Sequence, residues 1–170
     1  MKAGILLLNM CFPVLAGLMM LQGKREYTGK KLARRSLAAM VIAVCFLVWN
    51  LTGDPLSLHL CSLGKDLPVY FHVDAIGKLF ASVVTLVWIL AICFAGEYMK
   101  KEQDQKRFFG FFLIVYGVLM GLCYAGNLIT FYLFYEMMTL TTVPLVLHTR
   151  TREAITAGMK YLLYSLSGAY

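Results

Sequence analysis

The chain is 170 residues long, the length of one compact domain, yet 60% of its residues are hydrophobic and only 15% are charged, where a soluble domain carries about 25% charge. With a mean hydropathy of +0.72, this composition excludes an ordinary soluble domain. It equally excludes a disordered chain, which needs low hydrophobicity and high charge.

The net charge of +7 falls in short loops between apolar runs, without basic–aromatic interleaving. It reads as a membrane-topology signal and not as a nucleic-acid surface. At about 20 apolar residues per helical crossing, the chain has room for five or six spans. The expected fold is all-α, a polytopic transmembrane helix bundle.

The first run covers 3–21 and is interrupted by Asn9, Pro13 and glycines. It exceeds the apolar core of about 7–15 residues in a signal peptide, and no small-x-small site precedes Lys24, so it reads as a retained span. A basic loop follows at 24–35. The second run, 36–51, is short and carries Trp49 near one end as an interfacial anchor. In the polar stretch that follows, Gly53-Asp54-Pro55 and Gly64-Lys65-Asp66 predict a small extramembrane hairpin within 52–73. His59 and His72 sit at its two ends. With no third ligand at a sensible spacing, they read as interfacial histidines and not as a metal pair.

Asp74 opens the third run, 75–95, as an acidic residue beside a helix N-terminus should, and Lys78 is near enough to the end to snorkel. A charged loop at 97–107 leads to the fourth run, 108–125, and a break at Ala125-Gly126-Asn127 leads to the fifth, 128–147. A sixth apolar helical pattern begins at Ala154. To Tyr170 it reaches only about 26 Å at 1.5 Å per residue, short of the roughly 30 Å hydrocarbon core, and it reads as cut short. The five cysteines, Cys11, Cys45, Cys61, Cys93 and Cys123, are odd in number and lack CxxC spacing. No disulfide framework or metal cage is legible in them.

Lys and Arg concentrate in the first-to-second, third-to-fourth and fifth-to-sixth connections, with only Lys2, Lys65 and Lys78 on or near the opposite side. Cytoplasmic loops retain such residues. The expected topology is therefore multi-pass in the cell membrane with the N-terminus outside.

Glu136 is the one acidic residue in the interior of an apolar run. It lies about 12 Å along the helix from Leu128, near the bilayer middle, where a carboxylate costs about 2.5–3.5 kcal/mol. Its apolar neighbours return about 0.3–0.6 kcal/mol each, so the span inserts at a penalty that something should offset. Burial in a low-dielectric medium disfavours the charged form, which suits such a group to load and release a proton. The competing reading is a structural carboxyl bonded to a neighbouring helix. Tyr132 and Thr139 lie one turn to either side. Thr141 and Thr142 add hydroxyls, and Pro144 frees a backbone carbonyl. Tyr161, Tyr164, Ser165 and Ser167 make a polar stripe on the sixth pattern. Lys160, beside them, is either a relay member or a snorkelling lysine.

The stretch Asn127-Leu128-Ile129-Thr130-Phe131-Tyr132-Leu133-Phe134-Tyr135-Glu136-Met137-Met138, then Pro144, then Glu153-Ala154 and Lys160, resembles the antiporter-like membrane subunits. These occur in respiratory complex I, Mrp-type sodium/proton antiporters and energy-converting membrane hydrogenases. His72-Val73-Asp74-Ala75-Ile76 resembles the start of that family's third helix. The likeness is dense over 127–170 and thin before Asp74. It implies that Glu136 matches the fifth-helix glutamate of proton handling, and Lys160 a basic residue at the beginning of the sixth helix. The family's seventh helix brings a lysine to this glutamate, and the chain stops before it. The implied division is 1–107 as three leading helices with the loop at 52–73, and 108–170 as the start of the first antiporter-like repeat, in a longer subunit or one completed by another chain.

The expected function is a proton- or sodium-translocating antiporter-like subunit, or the N-terminal part of one, in a multi-subunit respiratory, hydrogenase or Mrp-type complex. The chain itself would be a non-redox member. The alternatives are a structural or assembly scaffold in which Glu136 only packs, and a membrane enzyme acting on lipid or quinone, which lacks a convergent catalytic constellation. Without a Cys cluster, GxGxxG or paired haem-ligand pattern, no cofactor or metal is expected. The expected partners are other membrane subunits, the lipid bilayer and H+ or Na+, with no nucleic acid.

Overall fold

The computed structural model describes residues 2–23, 29–62, 67–99 and 102–169. The turn signal Gly64-Lys65-Asp66 and the loop cations Lys24, Arg25, Lys100 and Lys101 lie outside the described residues. The elements in chain order are α1 (Lys2–Gln22), α2 (Gly29–Thr52), β1 (Leu56–Ser62), β2 (Pro68–Val73), α3 (Ala75–Tyr98), α4 (Gln105–Cys123), α5 (Leu128–Val146) and α6 (Arg152–Ala169). Among the described residues, α1 to α5 are long and apolar enough to cross a membrane. The sixth helix carries Arg152, Glu153 and Lys160 and is not one of them.

Two helices start earlier than their apolar runs. α2 begins inside the basic loop, ahead of Ser36, and α4 begins inside the charged loop at Gln105. Lys, Arg and Gln are good helix formers, and the stems of Lys and Arg lie along apolar surface while their heads reach water. Asp74 caps α3, its Oδ1 accepting from Gly77 N at 2.6 Å. Lys78 does more than snorkel. Its Nζ donates to the carbonyls of Leu51 at 3.2 Å and Gly53 at 2.7 Å, so it closes the C-terminal end of α2, where carbonyls lack intrahelical donors.

The tightest seam runs between α1 and α4. A β-carbon at Gly17 would overlap the Gly110 carbonyl, and one at Gly117 would lie 2.5 Å from both the Met10 carbonyl oxygen and Val14 Cγ2. Glycine is needed because the two backbones approach this closely. α3 joins α4 through polar pairs set in aromatic packing. Trp88 Nε1 donates to the Phe112 carbonyl at 3.0 Å with the two rings stacked, and Thr85 Oγ1 lies 2.9 Å from the Tyr116 hydroxyl.

The two strands pair antiparallel, Leu56 opposite Val73, with an irregularity between His59 and Cys61. Val69, Phe71 and Val73 alternate into the core. The other edge of β2 is occupied by the link between α4 and α5. His72 N donates to Tyr124 O at 2.8 Å and Gly126 N donates to Tyr70 O at 3.0 Å. Gly126 has no room for a β-carbon, which would strike the Tyr70 ring. On the outer hairpin face, His72 Nδ1 lies 2.8 Å from Ser57 Oγ and His59 stacks on Tyr70.

Candidate functional site

The site is built on α5, and its position follows from how that helix begins. Asn127 adopts an extended backbone and its Oδ1 accepts from Thr130 N at 2.8 Å, satisfying one of the orphan donors of the first turn. The same side chain donates from Nδ2 to the Pro68 carbonyl at 2.7 Å, and Thr130 Oγ1 accepts from Tyr70 N at 3.1 Å. One turn on, Phe134 packs edge-on against Phe71 and fills the space over Gly121, where a β-carbon would collide with its ring. These contacts set the depth and rotation of everything below them on α5.

Glu136 follows, midway along the helix and half-buried. Its Oε1 is buried and makes no hydrogen bond among the described residues. A buried acceptor without a donor carries the cost of its lost hydration. Thr139, one turn on, is 1% exposed and its Oγ1 lies 3.1 Å from Ser165 Oγ on α6. Thr142 Oγ1 lies 2.9 Å from the Tyr161 hydroxyl, also on α6, and 2.9 Å from the Thr139 carbonyl. Thr141 instead donates to the Met137 carbonyl at 2.8 Å. Pro144 lies within α5, and without an N–H it leaves the Leu140 carbonyl lacking its usual donor.

Tyr132 is 36% exposed. With Leu128, Ile129, Phe131, Tyr135 and Gly168 it lines an open groove of about 500 Å³ between α5 and the far end of α6. Lys160 is exposed on α6 and makes no ion pair with Glu136 among the described residues. The structure thus joins Thr139 to the stripe on the sixth helix and leaves Lys160 apart. Buried polar groups also lie outside α5. Asn9, read from the sequence only as an interruption of the first run, is fully buried on α1 and faces the equally buried Tyr124 hydroxyl. A lone Asn amid apolar residues was the available signal. No group of three or more His, Cys, Asp or Glu able to hold a metal occurs among the described residues.

Two family models match separate parts of the chain. The one described as NADH-ubiquinone oxidoreductase (complex I), chain 5 N-terminus, matches 60–109. The one described as NADH:quinone oxidoreductase/Mrp antiporter, TM, matches 125–170. A Na(+)/H(+) antiporter subunit of Alkalihalophilus pseudofirmus is 31% identical over 111 residues, 64% of this chain and 14% of that protein. A probable K(+)/H(+) antiporter subunit of Rhizobium meliloti is 31% identical over 116 residues, 64% of this chain and 12% of that protein. The chain thus spans only a small part of the length of these relatives. Its whole length superposes on 26% of a chain in the membrane-bound sulfane sulfur reductase, an archaeal respiratory membrane complex, with a TM-score of 0.75 and 22% identity. The chain is similar to antiporter and complex I subunits over the matched segments, as its residues implied for 127–170, and has the fold of a multi-pass membrane protein.

Proposed function

We propose that the chain is the leading portion of an ion-translocating antiporter-like subunit in a multi-subunit membrane complex, and that Glu136 carries the translocated proton or binds the sodium ion. The observation that carries this reading is the buried, unpartnered Oε1 of Glu136 in the middle of an apolar helix. Protonation neutralises the carboxyl and removes the cost of its burial, while an approaching cation favours the anion. A charge elsewhere in the complex therefore drives loading and release at this one group. The named relatives are antiporter subunits, which supports the same reading. Lys160 is a further ionisable group in this scheme, with Tyr132 and Thr139 as supporting polar groups.

The division into three leading helices over 1–107 and the start of a repeat over 108–170 belongs to the same reading. It is supported by the two matched segments, which end at 109 and begin at 125. The basic loops favour the cell membrane with the N-terminus outside.

Glu136→Gln keeps the size and most hydrogen bonds but cannot ionise. In membranes holding the whole complex, it should assemble at normal abundance and lose ion translocation by about a hundredfold or more, the range general acid–base groups contribute. Glu136→Asp should retain part of the activity. Unchanged translocation per assembled complex in the Gln variant would remove the proposed role.

A further inference from the structure

We infer that the two hydroxyl pairs between α5 and α6, Thr139–Ser165 and Thr142–Tyr161, form a proton lead to Glu136 from the end of the bundle that carries Arg150 and Arg152. The inference rests on Glu136 being the proton carrier, as proposed above.

The spacing supports it first. Glu136, Thr139 and Thr142 follow one another at three-residue steps, each about 4.5 Å along the helix axis. At each of the lower two positions a hydroxyl of α5 touches one of α6, at 3.1 Å and 2.9 Å. A gap of one step is the length that a single water bridges with a hydrogen bond on each side.

The chemistry of the groups supports it next. A hydroxyl accepts a proton on a lone pair and releases its own from another direction. Thr142 has two acceptors in reach, the Tyr161 oxygen and the Thr139 carbonyl, both at 2.9 Å, so its proton has two resting orientations. In the relay, a proton arriving at the Tyr161 oxygen displaces that hydroxyl's own proton to Thr142. Thr142 passes one to a bridging water, and the water to the Thr139–Ser165 pair. A second water, or direct transfer, delivers one to the Glu136 carboxylate, which becomes the neutral acid. Every hydroxyl and water ends with the protons it began with, and one positive charge has moved.

The packing is the third support. Between α1 and α4 the backbones meet at glycine, where a β-carbon would not fit. α5 is different. Only Thr130 and Thr139 are buried on it, and on α6 only Gly158 is buried among residues with described side chains. The contact between α5 and α6 is thus made through side-chain hydroxyls, where α1 and α4 meet backbone to backbone.

Interhelical hydroxyls also serve simply as packing contacts, and the experiment separates the two roles. Thr142→Val and Tyr161→Phe, singly and together, are compared with Thr142→Ser in membranes holding the whole complex, with Glu136→Gln beside them. The expected result is normal abundance in every case. Ion translocation per assembled complex should fall about a hundredfold in the Val, Phe and paired variants and be largely kept in the Ser variant. Should the paired change lower assembly, Tyr161→Phe alone, which removes a single oxygen, carries the test. Translocation per complex unchanged in Thr142→Val and Tyr161→Phe, with Glu136→Gln inactive, overturns the lead and leaves the role of Glu136 standing. An active Glu136→Gln variant overturns both.

Discussion

Asn127 performs two tasks with one amide, and its partners explain why the sequence revealed only one. Its Oδ1 caps α5, which an Asn before an apolar run announces. Its Nδ2 holds the carbonyl of Pro68, a residue 59 positions away, and no local pattern encodes that contact. Asn127→Ala removes both bonds and should cost roughly 1–3 kcal/mol. Asn127→Asp keeps the cap acceptor, and its charge suits a helix N-terminus, but it places a carboxylate against a carbonyl. Thermal unfolding of the protein in lipid should rank Asn first, Asp second and Ala last. An Asp variant as stable as the native chain would mean the Pro68 contact contributes nothing. Glu136 was legible for the opposite reason: a single acid inside an apolar run needs no knowledge of its neighbours. The pairing of Thr139 with Ser165 was not legible, since it depends on the register between two helices.

At the scale of the elements, hydrophobic runs located the helices because each span must keep its side chains out of water for about 20 residues. Their ends were less legible. α2 and α4 extend into charged loops whose residues are poor in hydropathy and good in helix propensity. The occupancy of the β2 edge was hidden as well, because Tyr124 and Gly126 give it through their backbone atoms. The contact between α1 and α4 has a sharper consequence. Gly117→Ala puts a methyl 2.5 Å from the Met10 carbonyl oxygen, so a backbone must retreat, and overpacking of this kind costs about 1–3 kcal/mol. Gly4→Ala, whose β-carbon meets nothing within 4 Å, is the control and should be neutral. Equal unfolding temperatures for the two variants would mean that α1 and α4 are not locked together.

At the scale of the whole molecule, the basic loops predict sidedness. In a background without native cysteines, single cysteines at Lys30, Gln103 and Thr151 should react with an impermeant thiol reagent only from the cytoplasmic side. One at Leu67, which is 45% exposed beside β2, should react only from outside. Labelling of any of the first three from outside would reverse the proposed orientation. The attachment of α5 also has a mechanical side. The helix is fastened to β2 at its first turn, by Asn127 and Thr130, and is sparsely buried below that. A rigid rotation of the helix about Asn127 would move each side chain in proportion to its distance from that residue. A rotation of about 5° about that point displaces Glu136 by about 1 Å and Thr142 by about 2 Å, in proportion to their distances along the axis. A hydrogen bond lengthened by 1 Å is broken. In such a rotation Thr142 moves about twice as far as Glu136, so the hydroxyl pairs with α6 would part before the carboxyl had moved as far.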